Sequence, residues 1–422
     1  MLIVRQRRLD DWGLSPQKLS ANLLAGLTVA IVALPLALAF GIGSGLGAQA
    51  GLTTAIIAGV IAAVFGGSKL QVSGPTGAMT VILIPIVATY GPTAVLQVGL
   101  MASGFLILAA ALRLGKHIHR LPTSLIEGFT AGIAIVIAMQ QVAFVLGVGF
   151  ESSDHIWRSV YQEVLTWLQE PDFTTLAIGL SVVLINIFGA GRWPKLPMAL
   201  LSVVVATLAA NLMNLNVERI GNLPGGLSAP NFDFLAGGDW VALLPPALAV
   251  AFLAGLESLL SAKIADRVSG LEQHQPNREL FGQGLANLAV PFFGGVPATA
   301  ALARTAVNVR AGANSRLASV SHALFLLIFV LLLSTWISEI PLTALGGVLI
   351  ATAYHMIRID ELRQTARQSK LDALVLVITL VATVLLDLIS ALLIGLALYL
   401  LLRNTKLSKR LIPLDAEETL GD

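Results

Sequence analysis

The sequence SGPTG at residues 73–77 has a counterpart, VPAT, at residues 296–299. Each stretch follows a Phe-Gly-Gly sequence, which begins at Phe65 or at Phe293, and each precedes an apolar segment too short to cross a membrane. Proline has no backbone N–H and disfavours helix in the residue before it, so a helix that begins after it leaves its first N–H groups unpaired. Two such helix starts that face each other bring their positive dipole ends together, which favours an anion site between them.

Composition places the chain in a membrane. Hydrophobic residues make up 56% of the 422 residues, charged residues only 12%, and the mean hydropathy is +0.84, whereas a soluble domain carries about 25% charged residues. A span needs about 20 mostly apolar residues. Candidate spans, several of them short or interrupted, lie near 21–40, 50–65, 76–89, 93–112, 124–147, 173–189, 196–214, 241–264, 280–294, 299–311, 317–336, 341–356, 371–387 and 388–403. We therefore predict an all-α polytopic membrane protein with fourteen transmembrane segments.

The distribution of basic residues supports this topology, because short cytoplasmic loops are enriched in Lys and Arg. With the N-terminus inside, all but four of the 26 Lys and Arg residues fall on the cytoplasmic side. The exceptions are Lys69, Arg158, Arg219 and Arg304. We expect both termini in the cytoplasm, and we attribute the net charge of +2 to membrane topology rather than to nucleic-acid binding.

The two interrupted segments each take third place in a set of seven spans, residues 21–214 and 241–403. Since seven is odd, the second set enters the membrane upside down relative to the first, which is the inverted-repeat plan of many secondary transporters. Gly and Pro are common in membrane helices, so a coincidence of two breaks is the alternative. Broken backbone at membrane depth persists, however, only where it is buried or lines a cavity. We predict two inverted repeats between a cytoplasmic segment 1–20 and a cytoplasmic tail 404–422.

Several motifs, in order along the chain, resemble the sulfate permease (SulP) family of anion transporters. They are AGLTVA (25–30), ALPLALAF (33–40), SGPTGAM (73–79), EGFTAG (127–132), GLESLLS (255–261) and PATAALART (297–305). The resemblance implies fourteen spans in two inverted repeats. Spans 1–4 and 8–11 would form a core domain that carries the substrate, and the remaining spans a gate domain against which the core moves like an elevator. It also implies a homodimer in a plasma membrane, here a bacterial inner membrane.

The C-terminus departs from the family pattern. Members usually continue into a cytoplasmic regulatory domain of the STAS type, whereas only 19 residues, 404–422, follow Arg403 here. Either the protein lacks this domain or the sequence is part of a longer chain. Regulation through such a domain is therefore in doubt, and we expect the homodimer to be weak without it.

Glu257 is the first candidate for ion coupling, because it is the only carboxylate in residues 241–262. Ionisable groups inside a membrane are functional hypotheses by default, although an ion-paired structural carboxylate is the alternative. A desolvated carboxylate is suited to carry a proton. In the family, members with aspartate here can hold sodium together with a hydroxyl one turn later, which corresponds to Ser261 on the same helix face. Glutamate favours H⁺ over Na⁺ as the coupling ion.

Arg304 lies within the second interrupted segment, where it either attracts the substrate or pairs with Glu257. Thr76 and Thr299 stand at the two predicted helix starts, where each hydroxyl contacts the anion or caps the helix. The backbone N–H groups of residues 76–78 and 298–301 are the preferred direct donors to a small oxyanion. The predicted substrate-binding set is Thr76, Gly77, Ala298, Thr299, Ala300, Ala301, Arg304 and, from the resemblance, Phe40.

The function that fits these features is secondary active transport of a small anion such as sulfate, bicarbonate or a dicarboxylate, coupled to protons. The chain has no cysteine, phosphate-binding loop or nucleophile triad, so we expect neither an enzyme nor an ATP-driven pump, and no metal or cofactor. One alternative is a proton-coupled nucleobase carrier of the same plan, which would need a carboxylate where Arg304 stands. The other is an anion channel or an electromotile membrane protein.

Overall fold

The structure is a computed structural model that describes residues 12, 15–120, 122–149, 156–193, 196–270, 273–386 and 388–403. The predicted cytoplasmic tail 404–422 and residues 1–11 of the predicted N-terminal segment lie outside the described residues. Within them the chain is almost entirely helical. The helices are α1 (Pro16–Gly43), α2 (Ala48–Phe65), α3 (Gly77–Tyr90), α4 (Pro92–Ala111), α5 (Thr123–Gln140), α6 (Val142–Leu146), α7 (Ile156–Gln169), α8 (Phe173–Arg192), α9 (Met198–Leu212), α10 (Leu244–Ser269), α11 (Pro276–Ala289), α12 (Leu302–Arg310), α13 (Arg316–Ser338), α14 (Leu342–Met356), α15 (Ile359–Gln368), α16 (Lys370–Leu385) and α17 (Leu388–Arg403).

Eight helical segments in the described part of the chain are long and apolar enough to cross a membrane. They are α1, α2, α4, α5 with α6, α8, α10, α13, and α14 with α15. Shorter apolar helices are α3, α9 and residues Ser390–Leu402 of α17. The protein is therefore a multi-pass membrane protein, while the total of fourteen spans and the inverted repeat stay predictions.

Helix contacts fall into two groups. In the first group α4 packs on α10 and α11, and α13 packs on α1 and α2. In the second group α16 packs on α5 and α17, and α14 packs on α8 and α9. The two groups meet where α1 contacts α9 and α14, and where α3 contacts α5. The short helix α3 thus lies at the boundary between the groups.

Small residues allow helices of the first group to cross closely. A Cβ atom at Gly51 of α2 would lie 1.9 Å from the carbonyl oxygen of Ala37 in α1, closer than any real contact. Close backbone approach through small residues is the usual way in which membrane helices associate. Only glycine therefore fits at position 51. The close contact at Ala37 fixes α1 against α2 near Phe40.

Two short strands connect the interrupted segments. Strand β1 (Ser73–Gly74) pairs antiparallel with β2 (Thr299–Ala300), with Ser73 opposite Ala300 and Gly74 opposite Thr299. Helix α3 begins at Gly77, directly after Pro75-Thr76, as the sequence predicted. The predicted start of the second short helix at Thr299 is wrong. Because Thr299 and Ala300 extend to pair with β1, α12 begins only at Leu302.

Candidate functional site

The start of α3 is closed and capped. Thr76 is the N-cap, and its side-chain oxygen accepts a hydrogen bond from the Met79 backbone N–H at 3.4 Å. The Gly77 backbone lies under two apolar side chains, since a Cβ atom there would be 2.3 Å from Cδ1 of Ile137 and 3.1 Å from Cε1 of Phe40. Phe40, from α1, therefore lies against this helix start, while its role in lining the substrate pocket stays a prediction.

The start of α12 has no side-chain cap, because its N-cap residue is Ala301. Of the two alternatives for Thr299, the structure removes capping: its hydroxyl donates to the Ala254 carbonyl oxygen at 3.1 Å and lies 3.0 Å from Oγ of Ser258. Both partners belong to α10. Thr299 is completely buried, so its side chain attaches β2 to α10 instead of facing the space before α12.

Most of the predicted backbone donors on the second segment already form hydrogen bonds within the protein. The N–H of Ala298 donates to Oδ1 of Asn287 at 2.8 Å, that of Ala300 to Oγ of Ser258 at 3.2 Å, and that of Ala301 to the Val72 carbonyl at 3.0 Å. The first intrahelical bond of α12 runs from the Thr305 N–H to the Ala301 carbonyl. The N–H groups of residues 302–304 therefore have no intrahelical acceptor.

Accessibility distinguishes the two helix starts. Ala303 is exposed and Ala301 is half-buried, whereas Gly77 and Ala78 of α3 are buried. The first turn of α12 is therefore the less covered of the two, since Phe40 and Ile137 lie against the first turn of α3. The backbone donors predicted at 298–301 are therefore better sought at residues 302–304.

Arg304 carries a buried positive charge between the two helix starts. The residue is only 1% exposed, and its Nη2 donates to the Pro75 carbonyl oxygen at 2.6 Å. Its Nη1 has no hydrogen-bond partner among the described residues. Gly74 gives the guanidinium its space, because a Cβ atom there would lie 2.5 Å from Nη1. The side chain of one interrupted segment is therefore fixed by the backbone of the other.

Glu257 lies on α10, half-buried and adjacent to both segments. Its Oε2 accepts a hydrogen bond from the Thr76 hydroxyl at 3.0 Å. Within the described residues Glu257 and Arg304 form no direct ion pair, although the two charges act on each other across the site. Thr76 thus uses one hydroxyl both to cap α3 and to hold the carboxylate.

Ser261 is not oriented toward Glu257. Its hydroxyl donates to Oγ1 of Thr305 at 3.1 Å, and the same Thr305 oxygen accepts from the Val72 N–H at 3.1 Å. Ser261 is fully buried. In this arrangement it joins α10 to α12, and its predicted part in ion coupling stays a prediction.

Several polar residues of the site were missed by sequence reasoning. Ser258 accepts from the Ala300 N–H, and Gln71 donates to the Ser258 carbonyl oxygen at 2.7 Å. Asn287 on α11 donates to the Ala298 carbonyl at 2.9 Å and accepts from the Ala298 N–H. Ser258 and Asn287 are polar residues within predicted spans, and Gln71 lies between two of them. For Ser258 and Asn287 a signal was therefore available in the sequence, since polar residues inside a membrane usually face protein or a cavity.

The family of the chain follows from comparison with known proteins. Residues 19–379 match the sulfate permease family, and the chain belongs to that family. The resemblance indicated by the motifs is thereby confirmed. One relative, "Putative sulfate transporter YvdB" of Bacillus subtilis (strain 168), is 38% identical over 394 residues, which cover 92% of this chain and 74% of the relative. "Bicarbonate transporter BicA" of Synechocystis sp. is 33% identical over 389 residues, which cover 90% of this chain and 68% of the relative.

Solved structures agree with this assignment. The transmembrane domain of a cyanobacterium bicarbonate transporter BicA matches with a TM-score of 0.82 and 31% identity, covering 90% of this chain and 98% of that one. The murine Solute Carrier 26 family member A9 anion transporter in the inward-facing state matches with a TM-score of 0.84, covering 92% of this chain and 69% of that one. Its identity is 18%, so this second match shows a common fold alone.

Proposed function

We propose that the protein is a secondary active transporter of a small anion, which it holds in front of α12 and close to the start of α3. The observation that carries this proposal is the position of Arg304. Its guanidinium is buried between two helix starts, with a backbone carbonyl as its hydrogen-bond acceptor and without a directly paired carboxylate among the described residues.

Electrostatics supports an anionic ligand. A helix N-terminus is equivalent to roughly half a positive charge, so two of them and one guanidinium produce a strongly positive region. Burial strengthens this field, because attraction between charges grows as the effective dielectric constant falls. The free N–H groups at residues 302–304 supply directed donors for oxygen atoms of the ligand. A neutral nucleobase gains little from such a field, which disfavours that alternative.

Glu257 is proposed as the H⁺ carrier. It is the carboxylate that contacts Thr76 at the start of α3, and it is half-buried rather than sealed in the protein. A carboxylate without a directly paired cation is costly to keep ionised at membrane depth, and protonation removes that cost. Proton uptake at Glu257 would therefore make the positive site more attractive to an anion, which is the basis of symport.

Sulfate and bicarbonate are the first substrates to test, because two relatives carry these anions in their names. Both are small oxyanions whose several oxygens suit backbone N–H donors. A dicarboxylate is the third candidate. We further propose cytoplasmic termini, a weak homodimer and movement of the first helix group against the second, which the separate packing of the two groups supports.

Uptake into proteoliposomes tests the proposal. Labelled sulfate, bicarbonate, fumarate and uracil are offered separately, each with an imposed proton gradient, an imposed sodium gradient or neither. We expect accumulation of one anion above equilibrium with the proton gradient and no accumulation of uracil. Accumulation driven only by sodium would reject the H⁺ assignment. Passive equilibration of anions under every gradient would replace the transporter with a channel, and uptake of uracil alone would overturn the anion site.

The proposed dimer is tested separately by crosslinking in native-like membranes at low protein density. A crosslinked dimer that persists as the lipid-to-protein ratio rises is the expected result. A monomer at every ratio would reject the assembly and leave the transport proposal unaffected.

A further inference from the structure

His322 is a buried polar side chain for which the described structure provides no partner. It lies on α13 and is completely buried, and neither Nδ1 nor Nε2 has a hydrogen-bond partner among the described residues. An unpaired buried polar group costs about 1–3 kcal/mol. We therefore expect His322 to form an interaction that offsets this cost.

The surroundings of His322 lead to the site. A Cβ atom placed on Gly59 of α2 would be 3.8 Å from Nδ1 of His322 and 3.7 Å from the carbonyl oxygen of Ser73. Nδ1 and this β1 carbonyl therefore both lie next to Gly59. Ser73 directly precedes Gly74, the residue on which the Arg304 guanidinium rests.

Arg304 lies beside Gly74, the next residue of β1. A Cβ atom on Gly74 would lie 2.5 Å from Nη1 of Arg304 and 3.2 Å from the Cα of Ala55. Ala55 and Gly59 are one turn apart on α2, and residues at this spacing lie about 5–6 Å apart on one helix face. The unpaired Nη1 and the unpaired imidazole are thus neighbours along α2, and the guanidinium charge acts on the imidazole.

We propose that His322 is a positioning residue for Arg304, and that a water molecule held by Nη1 of Arg304, Nδ1 of His322 and the Ser73 carbonyl connects the two side chains. The hydrogen bonds balance: Nη1–H donates to the water, and the water donates one hydrogen to Nδ1 and one to the carbonyl oxygen. The imidazole is then neutral, with its proton on Nε2. Buried waters typically make about three hydrogen bonds to polar groups that otherwise lack partners.

The consequence concerns affinity, and it rests on the proposed function of Arg304 as the attraction for the anion. The Pro75 carbonyl fixes Nη2, and the water would fix Nη1. With both nitrogens restrained, the guanidinium keeps one orientation toward the site. Loss of the imidazole acceptor leaves Nη1 of Arg304 unrestrained. The guanidinium is then less ordered where it attracts the anion.

A high-resolution structure of the wild-type chain in lipid nanodiscs tests the water directly, at about 2 Å resolution or better, where ordered waters are seen. Density within hydrogen-bond distance of Nη1, Nδ1 and the Ser73 oxygen is the expected result. Well-ordered Arg304 and His322 side chains without such density, or a direct contact between them, would overturn the proposal. This measurement does not require transport, so it remains decisive even if the chain takes up neither sulfate nor bicarbonate.

Three variants test the positioning role with sulfate uptake as the probe. His322→Leu removes the acceptor and should raise the apparent KM about three- to tenfold, with a smaller change in maximal rate. His322→Asn retains an acceptor near the Nδ1 position and should restore the KM to within about twofold of wild type. Leu326→Ala, on the same helix and equally buried, is the control for packing and should lower thermal stability without this KM effect.

The combination with Arg304→Ala separates positioning from packing. If His322 acts through Arg304, the KM effect of His322→Leu disappears in the Arg304→Ala background. Equal KM effects in both backgrounds, or failure of His322→Asn to restore the KM while the protein remains folded, would reject the positioning role. Absence of sulfate and bicarbonate uptake by the wild type would instead count against the proposed function, and the density measurement would then decide the inference alone.

Discussion

The two helix starts differ in the way each treats its free N–H groups. At α3, Thr76 caps the helix and Phe40 and Ile137 cover the next residue. At α12, an alanine occupies the N-cap and the first turn is accessible. Where a side chain caps a helix start, fewer of its N–H groups remain for a ligand. Where none does, the unpaired groups are available to a ligand.

The two helix starts also differ in the charged side chain that lies beside each. The closed end at α3 is connected to the half-buried carboxylate of Glu257 through Thr76. The open end at α12 contains the buried cation Arg304 on its own first turn. In the proposed function, the ion-coupling carboxylate therefore contacts the α3 side, and the cation that attracts the anion belongs to the α12 side. The predictions below test this difference between the two sides.

The largest effect is expected from Glu257→Gln. Glutamine keeps the shape and a hydrogen-bonding oxygen for Thr76 but cannot carry a proton, so proton-driven accumulation of the anion should be lost while exchange of anions persists. Uptake and counterflow in proteoliposomes measure both. Glu279→Gln is the control, because Glu279 is also a buried glutamate but accepts from the Gly67 and Ser68 N–H groups. Undiminished accumulation by Glu257→Gln would remove that residue from coupling.

Arg304→Ala should weaken binding on the open side. At about 5 Å and an effective dielectric constant of about 20, one unit charge contributes about 3 kcal/mol, so apparent KM should rise at least about tenfold. The rise should be greater for sulfate than for a monovalent anion, because attraction scales with ligand charge. Arg310→Ala, which removes an exposed charge at the other end of the same helix, is the matched control. Equal losses for both anions would argue that Arg304 only stabilises the fold.

Gly74→Ala tests whether the backbone of β1 fixes the guanidinium. The added methyl group would lie 2.5 Å from Nη1 and 3.3 Å from Cζ, so Arg304 must move, and the backbone is strained as well because Gly74 has a φ of +157°. We expect a rise in apparent KM of about three- to tenfold, equivalent to about 0.6–1.4 kcal/mol, without loss of proton coupling. Gly104→Ala on α4 adds a methyl group with no heavy atom within 4 Å, and it should leave KM unchanged. Wild-type kinetics in Gly74→Ala would separate Arg304 from anion binding.

The smallest effects come from exchanging the caps. Thr76→Val removes the cap of α3 and should lower stability by about 1 kcal/mol, while Thr76→Ser retains it. Ala301→Ser supplies a cap to α12 and should raise stability by up to about 1 kcal/mol. The same hydroxyl would accept from an N–H that the anion uses, so apparent KM should rise about twofold. Thermal unfolding and uptake measure the two effects, and a stabilised variant with unchanged KM would contradict the role of the open helix end.

The sequence predicted the start of α3 but misplaced that of α12. Local chemistry explains the success, because Pro75 and Thr76 end the extended segment and begin the helix within a few residues. The start of α12 depends instead on pairing between Thr299-Ala300 and Ser73-Gly74, which are more than two hundred residues apart along the chain. No local signal reports such a contact.

For the polar residues too, local sequence predicted what does not depend on contacts between distant parts of the chain. Glu257 and Arg304 were found because a charge in an apolar segment is conspicuous. Which atoms they contact was not predictable, since Thr76 and the Pro75 carbonyl come from distant parts of the chain. Ser258 and Asn287 escaped notice because neutral polar residues in membrane helices are commonly involved in packing. Here Ser258 and Asn287 accept hydrogen bonds from N–H groups that were predicted to bind the ligand.

The antiparallel pairing of β1 with β2 sets a fixed distance between the two interrupted segments. Strands in a ladder lie about 4.7–4.9 Å apart whatever their side chains are, so the separation of the two helix starts is a property of the backbone. Substitutions around it alter charge and access, but they do not widen or narrow the space between the segments. For the proposed anion site, this geometry predicts that replacing single side chains changes the preference among small oxyanions, while the size of the ligand admitted stays the same.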